Sequence, residues 1–176
     1  MFELGLKTAG AACIVAAAAA FGENKARTLE RRVQQLEQFQ RSLKLLATEI
    51  SFARSLLPAA FTSVGRQCTA PVRELYLNAA ELMTAHPEMS AGRAWELSLS
   101  RIYPQSCFSA LDRDTISSLG DSLGVSQREG QLKQIRLVEQ HLSFNLAKAR
   151  EDRERLARLW RYLGFIGGAA LVILLL

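Results

Sequence analysis

The chain has 176 residues, enough for one domain with a core that folds unaided. Lysine and arginine total 22 against 17 acidic residues, a net charge of +5 too modest to imply nucleic acid. No basic arm with interleaved aromatics and no recognisable nucleic-acid motif accompanies it. Three cysteines, Cys13, Cys68 and Cys107, stand far apart with no CxxC pair, a pattern that favours neither a disulfide framework nor a zinc site. Cys68 and Cys107 are expected to be reduced thiols acting as small core residues.

At the amino end, residues 4–22 carry a single charge, Lys7, and include the run from Ala16 to Phe21. As a helix this segment spans roughly 28 Å, close to the thickness of a bilayer core. A cleaved signal peptide is the competing reading. Against it, the start of the chain lacks a strong positive cluster, and the positive charges follow instead as Lys25, Arg27, Arg31 and Arg32. The expectation is an uncleaved anchor over 1–23.

From Leu29 to Ile50 the apolar positions follow a heptad-like stripe, with Leu29, Leu36, Leu43 and Ile50 spaced by seven and Val33, Gln40 and Ala47 offset by four. Phe39 and Leu46 widen it beyond a coiled-coil seam, so it predicts a helix packed into a bundle. Pro58 suits the first turn of a short second helix that Gly65 would close. A third starts at Pro71 and runs to about His86, where Pro87 stops it. Ser90 is placed to cap a fourth carrying Ala94, Trp95, Leu97 and Ile102, ending before Pro104. A fifth is expected over 110–123, breaking at Gly124. Asp112 and Asp114 near its start favour the helix dipole, and Trp95 is the expected core anchor.

Ser126, Gln127, Arg128 and Glu129 have the form of a capping box, in which the Ser hydroxyl accepts the third residue's amide and Glu reaches back. Ser126→Ala is accordingly expected to cost about 1 kcal/mol. Beyond it, Ile135, Leu142, Ala149, Leu156 and Leu163 repeat every seven residues, with Leu132, Val138 and Leu146 in support. No proline follows, so one long helix is expected to continue from the bundle into the membrane. Residues 162–176 are uncharged, and Trp160, Tyr162 and Arg161 suit a headgroup boundary, which predicts a second span over 159–176. Basic residues flank the centre on both sides: Lys25, Arg27, Arg31 and Arg32, then Arg150, Arg153, Arg155, Arg158 and Arg161. The positive-inside bias then puts a central domain, 24–158, in the cytosol with both termini outside, and the arginines near anionic lipid. The expected fold class is all-α: a bundle of about six helices between two transmembrane helices.

Chemistry is sparse. His86 and His141 fall on separate predicted helices without matched acidic spacing, which fits helix-end or surface roles better than a metal pair. Gly120 and Gly124 in LGDSLG fit neither a P-loop nor GxGxxG. No serine sits in a nucleophile motif. No catalytic, cofactor-binding or metal-binding residue is expected, and the chain is read as a non-enzyme.

In order, the anchor, Gln35-Leu36, LKLLATEI from Leu43 to Ile50, Leu57-Pro58, Trp95, LGDSLGVSQREGQLKQIRL and the terminal YLGFIGGAALVILLL resemble the stage III sporulation protein AB family of endospore-forming bacteria. The resemblance covers nearly the whole chain. Two positions depart from the family pattern: Gln127, where Asp commonly follows the capping Ser, and Val33, where Pro is common. The resemblance implies a component of the complex joining mother cell and forespore. The protein would sit in the outer forespore membrane, its helical domain in the mother-cell cytosol. That domain is similar to the cytoplasmic domains of type II secretion and type IV pilus platform proteins. It further implies docking of the complex's ATPase, the stage III sporulation AA protein, and contact with other membrane components. Contacts are expected on exposed charges, among them Arg31, Arg32, Arg128, Glu129 and Lys133. A homo-oligomer stays open. The alternatives are a piece of a larger platform protein and a membrane-tethered adaptor binding anionic lipid or an acidic partner.

Overall fold

The computed structural model describes the backbone of residues 2–52, 56–124 and 127–175, and the side chains of these except 2–12, 52, 165, 168, 169, 171 and 173–175. Among the described residues every regular element is helical: α1 (Phe2–Phe52), α2 (Leu57–Arg66), α3 (Val72–Ala85), α4 (Ala91–Ile102), α5 (Ala110–Ser117) and α6 (Arg128–Leu175). Short 3₁₀ turns, Tyr103–Gln105 and Ser118–Ser122, follow α4 and α5. The chain forms two compact units, one of residues 34–147 and one pairing residues 1–33 with 148–176.

In the first unit the local signals act where the sequence puts them. Pro58 sits in the first turn of α2, where its missing N–H costs nothing. Pro71 precedes α3, and its peptide bond with Ala70 is cis. The Ser90 hydroxyl accepts the Arg93 amide at 3.2 Å and so caps α4. Gly124 adopts φ +77, a left-handed turn that a side chain would strain. Two expectations are corrected. Gly65 does not close α2. It lies inside the helix, and the Tyr76 and Leu77 side chains fill the space a Cβ would need. The helix expected over 110–123 changes to 3₁₀ geometry after Ser117. Ser126, half of the expected capping box, lies outside the described residues. A box that does form is Ser109 with Asp112: the Asp112 amide donates to Ser109 Oγ at 3.2 Å, and the Ser109 amide donates to Asp112 Oδ2 at 2.8 Å.

The core of this unit gathers the stripe of α1 (Leu36, Phe39, Leu43, Leu46) with Phe61, Leu75, Tyr76, Trp95, Leu99, Ile116, Ile135, Val138 and Leu142. Trp95 is its centre, with ring centroids 5.3 Å from Tyr76, 5.5 Å from Phe61 and 6.3 Å from Phe39. Its indole N–H donates to the Ile116 carbonyl at 2.9 Å. The polar handle of the largest buried side chain is therefore satisfied, as burial requires. The Ser42 hydroxyl donates to the Phe39 carbonyl (2.7 Å) and shares a hydrogen bond of 3.1 Å with the Tyr76 hydroxyl. Burial holds that phenol protonated above the ordinary tyrosine range, with the Ser42 bond opposing the shift.

Along α6 the seven-residue repeat slips. Leu142 and Ala149 are buried, but Leu156 and Leu163 are exposed, and the buried positions become Ala157 and Gly164. An α-helix drifts about 20° per heptad, so a buried stripe that follows the straight helix moves one residue along. Among the described residues no helix is long and apolar enough to cross a membrane.

Candidate functional site

The five charged positions expected to meet a partner fall in different units. Arg31 is exposed, whereas Arg32 is mostly covered and pairs with Asp152 at 3.5 Å, both in the unit of 1–33 and 148–176. Arg128, Glu129 and Lys133 occupy the exposed first turns of α6 in the unit of 34–147. Arg128 Nη1 donates to the Ser51 carbonyl at 3.3 Å, tying the start of α6 to the end of the α1 stretch in that unit. Trp95, expected as a structural anchor, is wholly buried as described above.

The unit of 1–33 and 148–176 is built on close approach of backbones, which the sequence analysis missed. A Cβ on Gly22 would collide with the Trp160 carbonyl and meet Gly164 Cα at 3.2 Å. One on Gly164 would lie 2.7 Å from the Ala18 carbonyl and 3.3 Å from Ala19 Cα. Only glycine at both positions lets the helices cross this tightly. Their buried neighbours Ala26 and Ala157 are also small. The signal in the sequence was the spacing Ala18, Gly22, Ala26, small residues four apart, which places them on one helix face. Phe21 and Trp160 close the crossing edge to face, with centroids 6.3 Å apart.

Charge fixes the same crossing. Arg161 donates to Glu23 Oε2 and Glu30 Oε1, each at 2.9 Å, and Arg27 pairs with Glu23 at 3.0 Å. Arg155 pairs with Glu151, and Arg153 with Glu154. Much of the basic belt expected to face lipid is thus engaged with carboxylates of this chain. Arg31 and Arg158 are exposed and, among the described residues, have no carboxylate partner. Lys25 lies over the Phe21 ring, 5.6 Å from its centroid. Around the crossing, Phe21, Leu156, Leu159, Tyr162, Leu163 and Ile166 are left exposed.

Elsewhere the chemical groups are dispersed. His86 caps the C-terminus of α3 with Nδ1 3.3 Å from Glu88 Oε1, and His141 is exposed on α6. Among the described residues no three His, Cys, Asp or Glu side chains converge as metal ligands would. Two open grooves border α2 and α3, and Glu81 is the one titratable side chain lining them. Burial raises the Cys68 thiol above its ordinary value, against a weaker opposing effect of Arg41.

These features define an all-helical protein whose bundle is organised around one tryptophan and whose end segments pair through glycine and alanine. The sequence profile of stage III sporulation protein AB matches residues 7–176. The chain belongs to the stage III sporulation protein AB family, and its role lies in sporulation. It is 28% identical over 171 residues to stage III sporulation protein AB of Bacillus subtilis (strain 168), covering 97% of this chain and 99% of that protein. A solved structure of stage III sporulation protein AB (SpoIIIAB) superimposes with a TM-score of 0.66 at 26% identity, covering 71% of this chain and 98% of that one.

Proposed function

We propose that the chain is a non-enzymatic membrane component of the complex that joins mother cell and forespore, and that it serves as a platform docking the complex's ATPase, the stage III sporulation AA protein. Its terminal segments, 1–23 and 159–176, anchor it in the outer forespore membrane. Its bundle faces the mother-cell cytosol, and both termini lie across the membrane. Family membership supplies the setting in sporulation. The observation that carries the membrane reading is the inverted packing of the terminal pair. Small residues face inward at the Gly22–Gly164 crossing, while Phe21, Leu159, Tyr162, Leu163 and Ile166 face out. In lipid, apolar side chains gain nothing by meeting one another, and helix pairs associate through close backbone approach. The full apolar stretches of the two ends, 4–22 and 162–176, include residues outside the described side chains and supply the rest of each span.

The docking function is tested by crosslinking in sporulating cells of the native host, followed by affinity isolation of the tagged full chain. An adduct with the AA ATPase, lost when the ATPase gene is deleted, is the expected result. A chain found in membranes but never linked to that ATPase would overturn docking and leave anchoring intact. A second reading, an adaptor on anionic lipid, draws on Arg31 and Arg158, which are exposed and have no carboxylate partner among the described residues. It predicts salt-sensitive binding of the full chain to vesicles containing phosphatidylserine or phosphatidylglycerol, with no ATPase contact.

A further inference from the structure

The part of α6 that belongs to the bundle has one face its fold does not use. Ile135, Val138, Leu142 and Leu146 are buried and complete the core. On the opposite side, Leu137 is 40% exposed and Phe144 is 73% exposed. They lie seven residues apart and so fall on one stripe two turns long. Lys133, Arg136, Gln140 and His141, all exposed, fill the positions around them. Single exposed apolar residues are ordinary. An exposed phenylalanine and leucine aligned on one face, on a helix whose core stripe is already filled, do not serve the fold.

The charges of this face have one sign. Between Gly130 and Ala147 the only carboxylate is Glu139, and it pairs with Lys44 at 3.6 Å. Glu129 stands at the N-terminal edge. Among the described residues neither Lys133 nor Arg136 has a carboxylate partner. A helix face that carries apolar anchors between unpaired cations complements an apolar residue flanked by Asp or Glu. We propose that the Lys133–Phe144 face of α6 is a docking surface for a protein partner that presents an apolar anchor among carboxylates. The proposal rests on the platform reading and names the surface through which that platform acts. It keeps Lys133 from the charged positions the sequence suggested and adds Leu137 and Phe144, which a search for exposed charges passes over.

The test measures binding of the detergent-solubilised full chain to the purified AA ATPase of the same host, for the parent, Phe144→Asp and the double variant Lys133→Glu/Arg136→Glu. Thermal unfolding of each variant is recorded alongside, and all of these side chains are exposed. Both variants should weaken binding by about tenfold or more, the equivalent of a lost anchor or charge pair. The charge variant should also flatten the salt dependence, while Lys133→Arg retains binding. Parent-like binding by both folded variants would overturn the surface and leave the platform reading standing. No binding by the parent would overturn the platform reading, and the proposal with it. If Phe144→Asp instead abolishes self-association of the chain and leaves ATPase binding unchanged, the face is a contact between copies, and the acidic-partner assignment is wrong.

Discussion

The two units of this protein solve helix packing in opposite ways. In the unit of 34–147 the buried side chains are large: Trp95, Tyr76, Phe39, Phe61 and a set of leucines. In the unit of 1–33 and 148–176 the buried residues at the contact are Gly22, Ala26, Ala157 and Gly164, and the large apolar residues point away. The first arrangement is what water enforces, since apolar area removed from it stabilises the fold by about 25 cal/mol per Å². The second gives up that gain and relies on close backbone contact and on Arg161 held by Glu23 and Glu30. The contrast teaches that a chain with an unremarkable overall composition packs its helices in two ways, large side chains inward in one unit and small residues inward in the other, and the proposed membrane anchoring rests on the second.

Substitutions at the two centres should separate the units, and the protein supplies its own reporters, because Trp95 and Trp160 are its only tryptophans. The largest effect is expected from Trp95→Ala, which empties the aromatic cluster and removes the indole donor from the Ile116 carbonyl. The bundle should lose about 3–5 kcal/mol in a thermal melt, while Trp160 fluorescence keeps its position. Gly164→Leu should act the other way. Overpacking the crossing costs about 1–3 kcal/mol, shifting Trp160 emission while near-ultraviolet circular dichroism from a Trp160→Phe background, which reports on Trp95, is unchanged. An equal response of both reporters to either variant would break the comparison.

A pH dependence sharpens it. Tyr76 binds its proton more tightly in the folded bundle than in the unfolded chain, because burial disfavours the phenolate. The folded-state advantage is therefore intact below the ordinary tyrosine value near 10 and drains away as pH rises above it, by about 1.4 kcal/mol per pH unit. Tyr76→Phe should remove this part of the alkaline slope, read as the difference between the two proteins' melting curves above pH 10. Smaller still, Asp112→Ala should cost about 1 kcal/mol by breaking the Ser109 capping box, detectable as a few degrees in the bundle's melting temperature.

Much of the bundle was legible because its signals are local. A seven-residue stripe, proline at helix starts and stops, and serine at an N-cap each act within one turn, and α1, α2, α3 and α4 obey them. Trp95 as core followed from its size and its place on an amphipathic helix. The failures have physical causes. The Ser109 box was missed because Asp replaces the usual Glu or Gln at the third position, where the shorter side chain still reaches the Ser109 amide. Gly65 looks like a terminator in sequence, but its missing Cβ makes room for Tyr76 and Leu77 from α3. The repeat through Leu156 and Leu163 continued on paper past the point where a straight helix turns those residues outward. The Gly22–Gly164 approach joins positions 142 residues apart, and no local rule foresees which small residues meet. Of the candidate site, Lys133 was legible as an exposed charge on a helix start. Phe144 was not, since a heptad reading assigns apolar residues to the core by default.

We propose that the terminal pair belongs to lipid and the bundle to the cytosol. The most direct test of this proposal is alkaline carbonate extraction of membranes from sporulating cells that carry the full chain tagged within the bundle, followed by protease treatment of mother cells opened so that the forespores stay intact. The chain should remain in the membrane pellet after extraction, and the bundle tag should be digested once the mother cell is opened. Release of the intact chain into the supernatant, or a bundle tag that stays protected in the opened mother cell, would contradict it.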